Sequence, residues 1–187
     1  MSLRLITAPA TMPVSLAEVK ANSRIDVDNS DEDTFLSGLI AAATDHVENY
    51  TGRALVSQTW ELVLDAFSPS ILLPKGPVTS IVSVKYFDPD EAEQTVSPAN
   101  YALDDVADPQ WLVRASNYSW PAVADGINNV TIRFICGYAT VPPAIKHAIL
   151  LLVDHWDQNR SATSDKPVST VPHAVDDLLV NYRSFVV

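Results

Sequence analysis

The spacing of apolar residues along the chain is first helical, then alternating, then helical again. Ser15 and Glu18 have the spacing of a capping box, which predicts a short helix over residues 16–22. After an acidic stretch, residues 34–53 have the period of a long amphipathic helix, and Gly52 is placed at its C-terminal end. The predicted apolar face of this helix consists of Phe35, Leu36, Leu39, Ile40, Ala43, Val47 and Tyr50.

From Ala54 onward, apolar and polar residues alternate, as they do in strands that bury one face. In the first of these strands Trp60, Leu62 and Leu64 point one way, while Thr59, Glu61 and Asp65 point the other. Two more strands are predicted within residues 71–96, and short strands at 100–105 and 110–116. The clearest strand lies within residues 128–139, with Val130, Ile132, Phe134, Cys136 and Tyr138 on one face.

Helical spacing returns at Pro142 and predicts a helix that runs to about Asn159. A polar loop follows, and Pro172 opens a shorter helix with Val175, Leu178, Leu179 and Tyr182 on one side. Helices, then strands, then helices predict an α+β fold: a helical module with a central antiparallel β insertion. The expected divisions are an N-terminal helical part at 1–55, the β insertion at 56–139, and C-terminal helices at 140–187 that complete the module.

The helix from Pro142 is apolar on two sides. One side carries a stripe that should face the core of the domain, formed by Ile145, Ile149, Leu152 and Trp156. The opposite side mixes His147 with two leucines and two more polar residues. Apolar residues on both sides indicate a helix packed on both sides, and the second neighbour is expected to be another subunit. The residues predicted for self-association are Leu150, Leu151, Asp154 and His155.

Composition limits the functional classes. The net charge of −11 argues against a general nucleic-acid surface and against binding to an anionic membrane. The single cysteine, Cys136, excludes an intrachain disulfide and disfavours a cysteine-based zinc site. The longest apolar run, residues 148–153, is far too short to span a bilayer. We expect no cofactor.

Residues 26–37 begin like a calcium-binding loop, with Asp26, Asp28 and Ser30 at ligand positions. However, Asp31 and Ser37 occupy the positions at which such a loop needs glycine and a bidentate glutamate. The alternative interpretation is an acidic turn favoured by the dipole of the following helix, with Asn29, Ser30 or Asp31 as the cap.

The sequence does not contain a complete catalytic motif. His46 and Glu48 match half of a zinc deaminase motif, but the other half needs two cysteines. On a helix, His147 and His155 lie roughly 12 Å apart along the axis, too far to share a metal ion. Asp154 and Asp157 have workable spacing, although Asp157 can instead pair with the nearby Arg160. We expect the protein not to be an enzyme; the alternative is a metal-dependent hydrolase built from Asp154, Asp157 and the acidic loop.

Several segments resemble, in order and spacing, the head–tail connector (adaptor) proteins of tailed phages. They are PVSLAEVKANSRID, DEDTFLSGLIAAATDHVENYTGRALVSQTWELVLD, LPKGPVTSIVSVKYFD, the strand ending in FICGYA, and VPPAIKHAILLLVDHWDQNR. Together they cover most of the chain. Residues 99–128 and the tail after Arg160 match only loosely, and Asp157 stands where relatives often have an aromatic residue.

The resemblance implies a virion structural protein at the head–tail junction, assembled in the cytoplasm of a bacterial host and encoded by a phage, prophage or gene transfer agent. Members of the family form a ring, twelve-fold in the particle, beneath the portal protein. The ring extends the channel through which DNA passes and provides the platform for head-completion, stopper or tail proteins. In related adaptors the C-terminal segment, here residues 171–187, embraces the portal. The implied portal contacts are Leu178, Leu179, Tyr182 and Phe185. A binding module that acts in phage assembly or regulation and then leaves is a second alternative.

Overall fold

The computed structural model describes residues 1–160 and 173–184 of the chain. Its helices are α1 (Leu16–Asn22), α2 (Asp33–Thr51), α3 (Pro143–Gln158) and α4 (His173–Leu179). Its strands are β1 (Ser2–Thr7), β2 (Gln58–Leu64), β3 (Ser70–Leu72), β4 (Val78–Phe87), β5 (Glu93–Thr95), β6 (Tyr101–Asp104), β7 (Trp111–Arg114) and β8 (Val130–Cys136). The α+β class is confirmed, and β1 is a strand that the apolar pattern did not predict.

The described chain forms two compact units. The β unit contains residues 1–10, 57–138 and 184, and the helical unit contains residues 11–56, 139–160 and 173–183. The helical unit is therefore assembled from chain segments that precede and follow most of the β unit in sequence.

The β unit contains two antiparallel sheets. The larger has the strand order β1-β2-β8-β4-β5, and the smaller has the order β3-β7-β6. One face of the larger sheet is the predicted apolar face: Leu62, Val130, Ile132 and Phe134 are fully buried. Because successive side chains of a strand point to opposite faces, the residues between them form a second face. On that face the register places Arg4 opposite Glu61, and Glu61 opposite Arg133.

The helical unit buries the predicted apolar stripes of α2 and α3. The fully buried side chains of these two helices include Leu36, Val47, Ile145, Ile149 and Leu152. Phe35, which was predicted on the same face, remains 40% exposed.

The ends of α1 and α2 follow the sequence signals. Ser15 Oγ accepts the backbone N–H of Glu18 at 3.2 Å, and the Glu18 carboxylate accepts the Ser15 N–H at 2.7 Å, which confirms the capping box. Gly52 ends α2 with φ 70°, a left-handed conformation that glycine adopts without a steric penalty.

The start of α2 differs from the prediction. Its N-cap residue is Glu32, which makes no side-chain capping hydrogen bond, so the predicted caps Asn29, Ser30 and Asp31 are wrong. For Asn29 the physical reason is that its side-chain oxygen is used within the loop, where it accepts the N–H of Asp31 at 3.0 Å. Asp26 makes the same kind of contact earlier in the loop, accepting the N–H of Asp28 at 3.1 Å.

The ammonium group of Lys20 lies at the centre of this acidic loop. Its Nζ donates to the carbonyl oxygens of Val27 at 3.1 Å and Asn29 at 2.6 Å, and forms an ion pair with Asp33 Oδ1 at 2.6 Å. The Lys20 side chain is only 4% exposed. Two backbone carbonyls and one carboxylate oxygen thus lie within 3.1 Å of the ammonium nitrogen. A side-chain cation thus organises the loop whose sequence resembled a calcium site.

Candidate interaction surfaces

The outer side of α3 is divided into two stripes. Residues 146, 150 and 154 lie one turn apart on one flank, and this flank faces α1: Lys146 Nζ contacts Glu18 Oε1 at 3.0 Å, and Ser23 Oγ donates to Asp154 Oδ1 at 3.2 Å. Leu150, midway between these two contacts, therefore lies on the flank beside α1 and is half-buried. Of the predicted self-association residues, Leu150 and Asp154 thus already have a neighbour within their own chain.

The second stripe of α3 consists of His147, Leu151 and His155, again one turn apart. His147 is exposed, and Leu151 and His155 are partly exposed. This stripe gives α3 an accessible leucine between two imidazoles, and it contains the other half of the predicted self-association set.

The C-terminal end of α3 is held by a charged cluster. Arg160 donates two hydrogen bonds of 2.7 Å to Glu32 and one of 2.7 Å to Asp157. These contacts hold the pKa of Glu32 below its usual value and raise that of the Arg160 guanidinium. The guanidinium also lies 4.5 Å from the centre of the Phe35 ring. Asp157 is therefore engaged in an ion pair, as its spacing from Arg160 suggested.

Metal-ligating side chains do not converge in the described parts of the chain. Within residues 1–160 and 173–184 there is no group of three or more His, Cys, Asp or Glu side chains placed to hold an ion. Asp154 is hydrogen-bonded to Ser23 and, at 2.8 Å, to Gln158. His46 packs edge-to-face against Trp156, with ring centroids 6.2 Å apart.

The predicted portal contacts have different environments. Leu178 and Tyr182 are partly exposed, whereas Leu179 is fully buried in the helical unit. The backbone carbonyl of Tyr182 accepts a hydrogen bond of 2.5 Å from Arg53 Nε, which fixes the chain after α4 against the end of α2. Phe185 lies outside the described residues.

The sequence analysis missed the role of Glu61. Glu61 is only 3% exposed, although the alternation of apolar and polar residues in β2 predicted that it lies on the polar face of the strand. It forms ion pairs with Arg4 on β1 and, at 2.7 Å, with Arg133 on β8. Burial alone would raise the pKa of Glu61, but the hydrogen bonds and charges of the two arginines outweigh burial and lower it. Alternation identifies the side of a strand, but it gives no sign of partners 57 and 72 residues away.

An apolar groove lies between the chain before α1 and the first half of α2. At its rim Met12 is 50% exposed. The lining residues are Thr11, Met12, Val14, Ser15, Leu16, Ser37 and Ile40. Among the described helices, none combines the length and apolar character needed to cross a membrane.

Comparison with known proteins gives one family and one group of structures. The family model described as head completion protein matches residues 14–185.

A chain from the virion of a native gene transfer agent particle superposes with a TM-score of 0.82 at 23% identity, covering 100% of this chain and 97% of that one. Chains from two neck structures of such particles, an empty one computed with C6 symmetry and a native one computed with C12 symmetry, give TM-scores of 0.80 and 0.73 at 24% and 23% identity. Both comparisons cover 100% of this chain and 97% of the other. At these identities the likeness shows the fold. No curated protein is similar enough in sequence to count as a match.

Proposed function

This chain belongs to the head completion protein family, and on that premise we propose that it is a structural protein of a virion neck that acts as a head–tail adaptor. The observation that supports this most is the fold match to chains of gene transfer agent particles, which extends over the whole of this chain and 97% of theirs.

The proposed adaptor works by assembly rather than by catalysis. It forms a ring, twelve-fold in the particle, on the portal protein, and the ring extends the DNA channel and receives the head-completion, stopper or tail protein. The C12 symmetry with which one matching neck structure was computed supports a ring. The net charge of −11 suits a channel wall that DNA passes without binding.

The contacts proposed for this assembly use packed surfaces. On α3 the accessible stripe of Leu151 and His155 is proposed to contribute most to self-association, with Leu150 and Asp154 at its edge beside α1. The portal is proposed to meet the C-terminal segment through Leu178, Tyr182 and Phe185. Leu179, which is buried in the subunit, would support that segment from within.

The test is an in-frame deletion of the gene in a host that produces the particles. We expect heads that contain portal and capsid proteins but carry no tails, together with free tails, and tailed particles again when the wild-type gene is supplied in trans. The wild-type protein should be present in purified tailed particles and should appear at the neck by electron microscopy. Normal tailed particles from the deletion host, or particles that lack the protein, would overturn the proposal.

A surface variant refines this test. Leu151→Asp places a charge in the accessible stripe of α3 and should reduce the yield of tailed particles. Val82→Asp, at a side chain 50% exposed on β4, is the matched control and should not. Equal yields from both variants would remove the α3 stripe from the proposed interface without affecting the neck assignment.

A further inference from the structure

Strand β1 is an exposed edge strand of the larger sheet. It pairs with β2 on one side, and the strand order ends there, with no further strand beyond it among the described residues. Most of β1 is exposed, including Leu5 at 43% and Ile6 at 37%. Edge strands in stable monomers are commonly protected by charged side chains, proline or a bulge. The β1 sequence, SLRLIT, has no proline; its one charged residue is Arg4, and its one register shift lies near its end, between Leu5 and Thr7.

The other edge of the sheet is better protected. Strand β5 covers the end of β4, and the β4 register shifts between Ile81 and Ser83. A shift interrupts the regular backbone pattern of a strand. Strand β1 has one shift, near its end, whereas β4 has a second one between Val78 and Ser80, so β1 is the edge with the longer regular stretch.

Arg4 limits what a partner on this edge can be. It stands at the end of a cross-strand row that runs from Arg133 through Glu61 to Arg4, so the row ends in a positive charge. The Arg4 side chain remains 67% exposed despite its ion pair with Glu61. Two copies of β1 paired about a centre at Arg4 would place like charges opposite each other, which is unfavourable. The complementary group is a carboxylate accompanied by an apolar side chain that covers Leu5 or Ile6.

The loop between β6 and β7 offers this combination. Val106, at its tip, is 92% exposed, and the preceding Asp105 is exposed as well. The loop has a defined shape, because the Asp104 carboxylate accepts the N–H groups of Val106 at 3.2 Å and Ala107 at 3.3 Å. The loop thus presents a carboxylate next to an apolar side chain, and burying that side chain against Leu5 and Ile6 would remove its apolar area from water.

The loop is tied to β4, a strand that is not adjacent to β1 in the larger sheet. Gln110, at the end of the loop, exchanges two hydrogen bonds with the backbone of Val78, the first residue of β4; one of them, from Gln110 Nε2 to the Val78 carbonyl, is 3.0 Å long. In the sheet order, β2 and β8 separate β4 from β1. At about 4.8 Å per strand, the two strands are roughly 14 Å apart across the sheet. A subunit in a closed ring needs two different, complementary surfaces, and the loop and the β1 edge are two separate surfaces of this kind.

We propose that the β6–β7 loop of one copy docks on the β1 edge of the next copy in the ring. Asp105 pairs with Arg4, and Val106 packs against Leu5 and Ile6. This inference rests on the proposed ring, and it adds a contact in the β unit to the one proposed on α3.

Cross-linking in assembled particles tests the contact. The double variant Leu5→Cys/Val106→Cys replaces two exposed apolar side chains that should touch across the interface. After mild oxidation of purified particles, a non-reducing gel should show a ladder of multimers, and each single-cysteine variant should show none. The native Cys136 is buried and stays unchanged. Leu5→Cys/Ile127→Cys is the matched control, since Ile127 is 74% exposed and lies in another loop.

The outcomes separate this inference from the proposed function. A ladder from the first pair and none from the control supports the contact. If the variant is present in particles but gives no ladder, the contact is overturned and the neck assignment stands. If the wild-type protein is absent from particles, the proposed function fails, and this contact fails with it.

A second variant tests the energetics without cysteines. Val106→Lys should lower the yield of tailed particles at least about tenfold, because roughly 1.4 kcal/mol lost at each contact already corresponds to that factor. Ile127→Lys is the control and should leave the yield unchanged. Far-UV circular dichroism of both purified variants should match the wild type. Equal yields from the two variants would contradict the proposed contact.

Discussion

The ammonium of Lys20 is the organising charge of the loop between α1 and α2, and its removal gives the sharpest test of the helical unit. Lys20→Met keeps most of the length and the apolar stem of the side chain but removes its three oxygen contacts. The loop then loses the contacts that hold the carbonyls of Val27 and Asn29 and the carboxylate of Asp33 in place.

The magnitude follows from these contacts. The carbonyls of Val27 and Asn29 belong to exposed residues, so water can replace the lost ammonium, and each lost hydrogen bond costs only its net value of about 1 kcal/mol. The Asp33 side chain is 35% exposed, and loss of its ion pair adds about 1 kcal/mol. We predict that the free energy of unfolding falls by about 3 kcal/mol. For a chain of this size that corresponds to a Tm lower by about 6–12 °C.

The assay is urea unfolding followed by far-UV circular dichroism at 222 nm, which reports mainly on the helices. The matched control is Lys146→Met, the same substitution at an ion pair of 3.0 Å whose side chains are 35% and 44% exposed. The control should cost no more than about 1 kcal/mol. A loss below about 1 kcal/mol in Lys20→Met, or equal losses in the two variants, would refute the view that the ammonium organises the loop.

Three further predictions use the same unfolding measurement. Gly52→Ala forces a side chain into a left-handed conformation at φ 70° and should cost about 1–2 kcal/mol; an unchanged midpoint would contradict this. Ser15→Ala removes the capping-box acceptor of α1 and should cost about 1 kcal/mol, and no loss would show that the cap is not needed. Because the folded pKa of Glu61 is lowered, its stabilising effect is present above its unfolded pKa and is lost as the pH falls through the folded pKa. Glu61→Gln should therefore be less stable than the wild type near pH 7 and should lose less of its stability on acidification; parallel pH profiles would contradict this. Asp45→Asn, at an exposed residue of α2, is the control for the loss of one negative charge and should leave both stability and its pH profile unchanged.

The helices and most strands were predictable because their signals are local. The capping box gave the exact bounds of α1, and the prolines at 142 and 143 with the period of apolar residues gave those of α3 within about one residue. The alternation of residues 130–136 gave the buried face of β8. Strand β1 was missed because it is exposed along most of its length and therefore lacks a one-sided apolar pattern.

The features that determine the candidate surfaces depend on distant pairs, and no local pattern encodes them. The two-sided apolar character of α3 suggested a second subunit, and the structure places α1 beside one of its flanks, through Ser23 and Asp154 at 131 residues' separation. The wrong caps of α2 have a similar cause, since Lys20 reaches into the loop from the preceding helix. The fold class could be predicted from periodicity. Which polar residues form hydrogen bonds or ion pairs within the chain, and which remain exposed, could not.

The order of segments in the helical unit has a consequence for synthesis on the ribosome. The buried stripe of α2 is completed by α3, whose first residue is Pro143, so the segment that ends at Thr51 emerges long before its main packing partner. The seven strands β2 to β8 emerge in that interval, and the last of them ends at Cys136. At a translation rate of about 5–20 residues per second, the apolar face of α2 stays uncovered for several seconds before α3 is synthesised. The β unit can close first during translation, and the nascent α2 is then the segment most exposed to chaperones or to aggregation until α3 has left the exit tunnel.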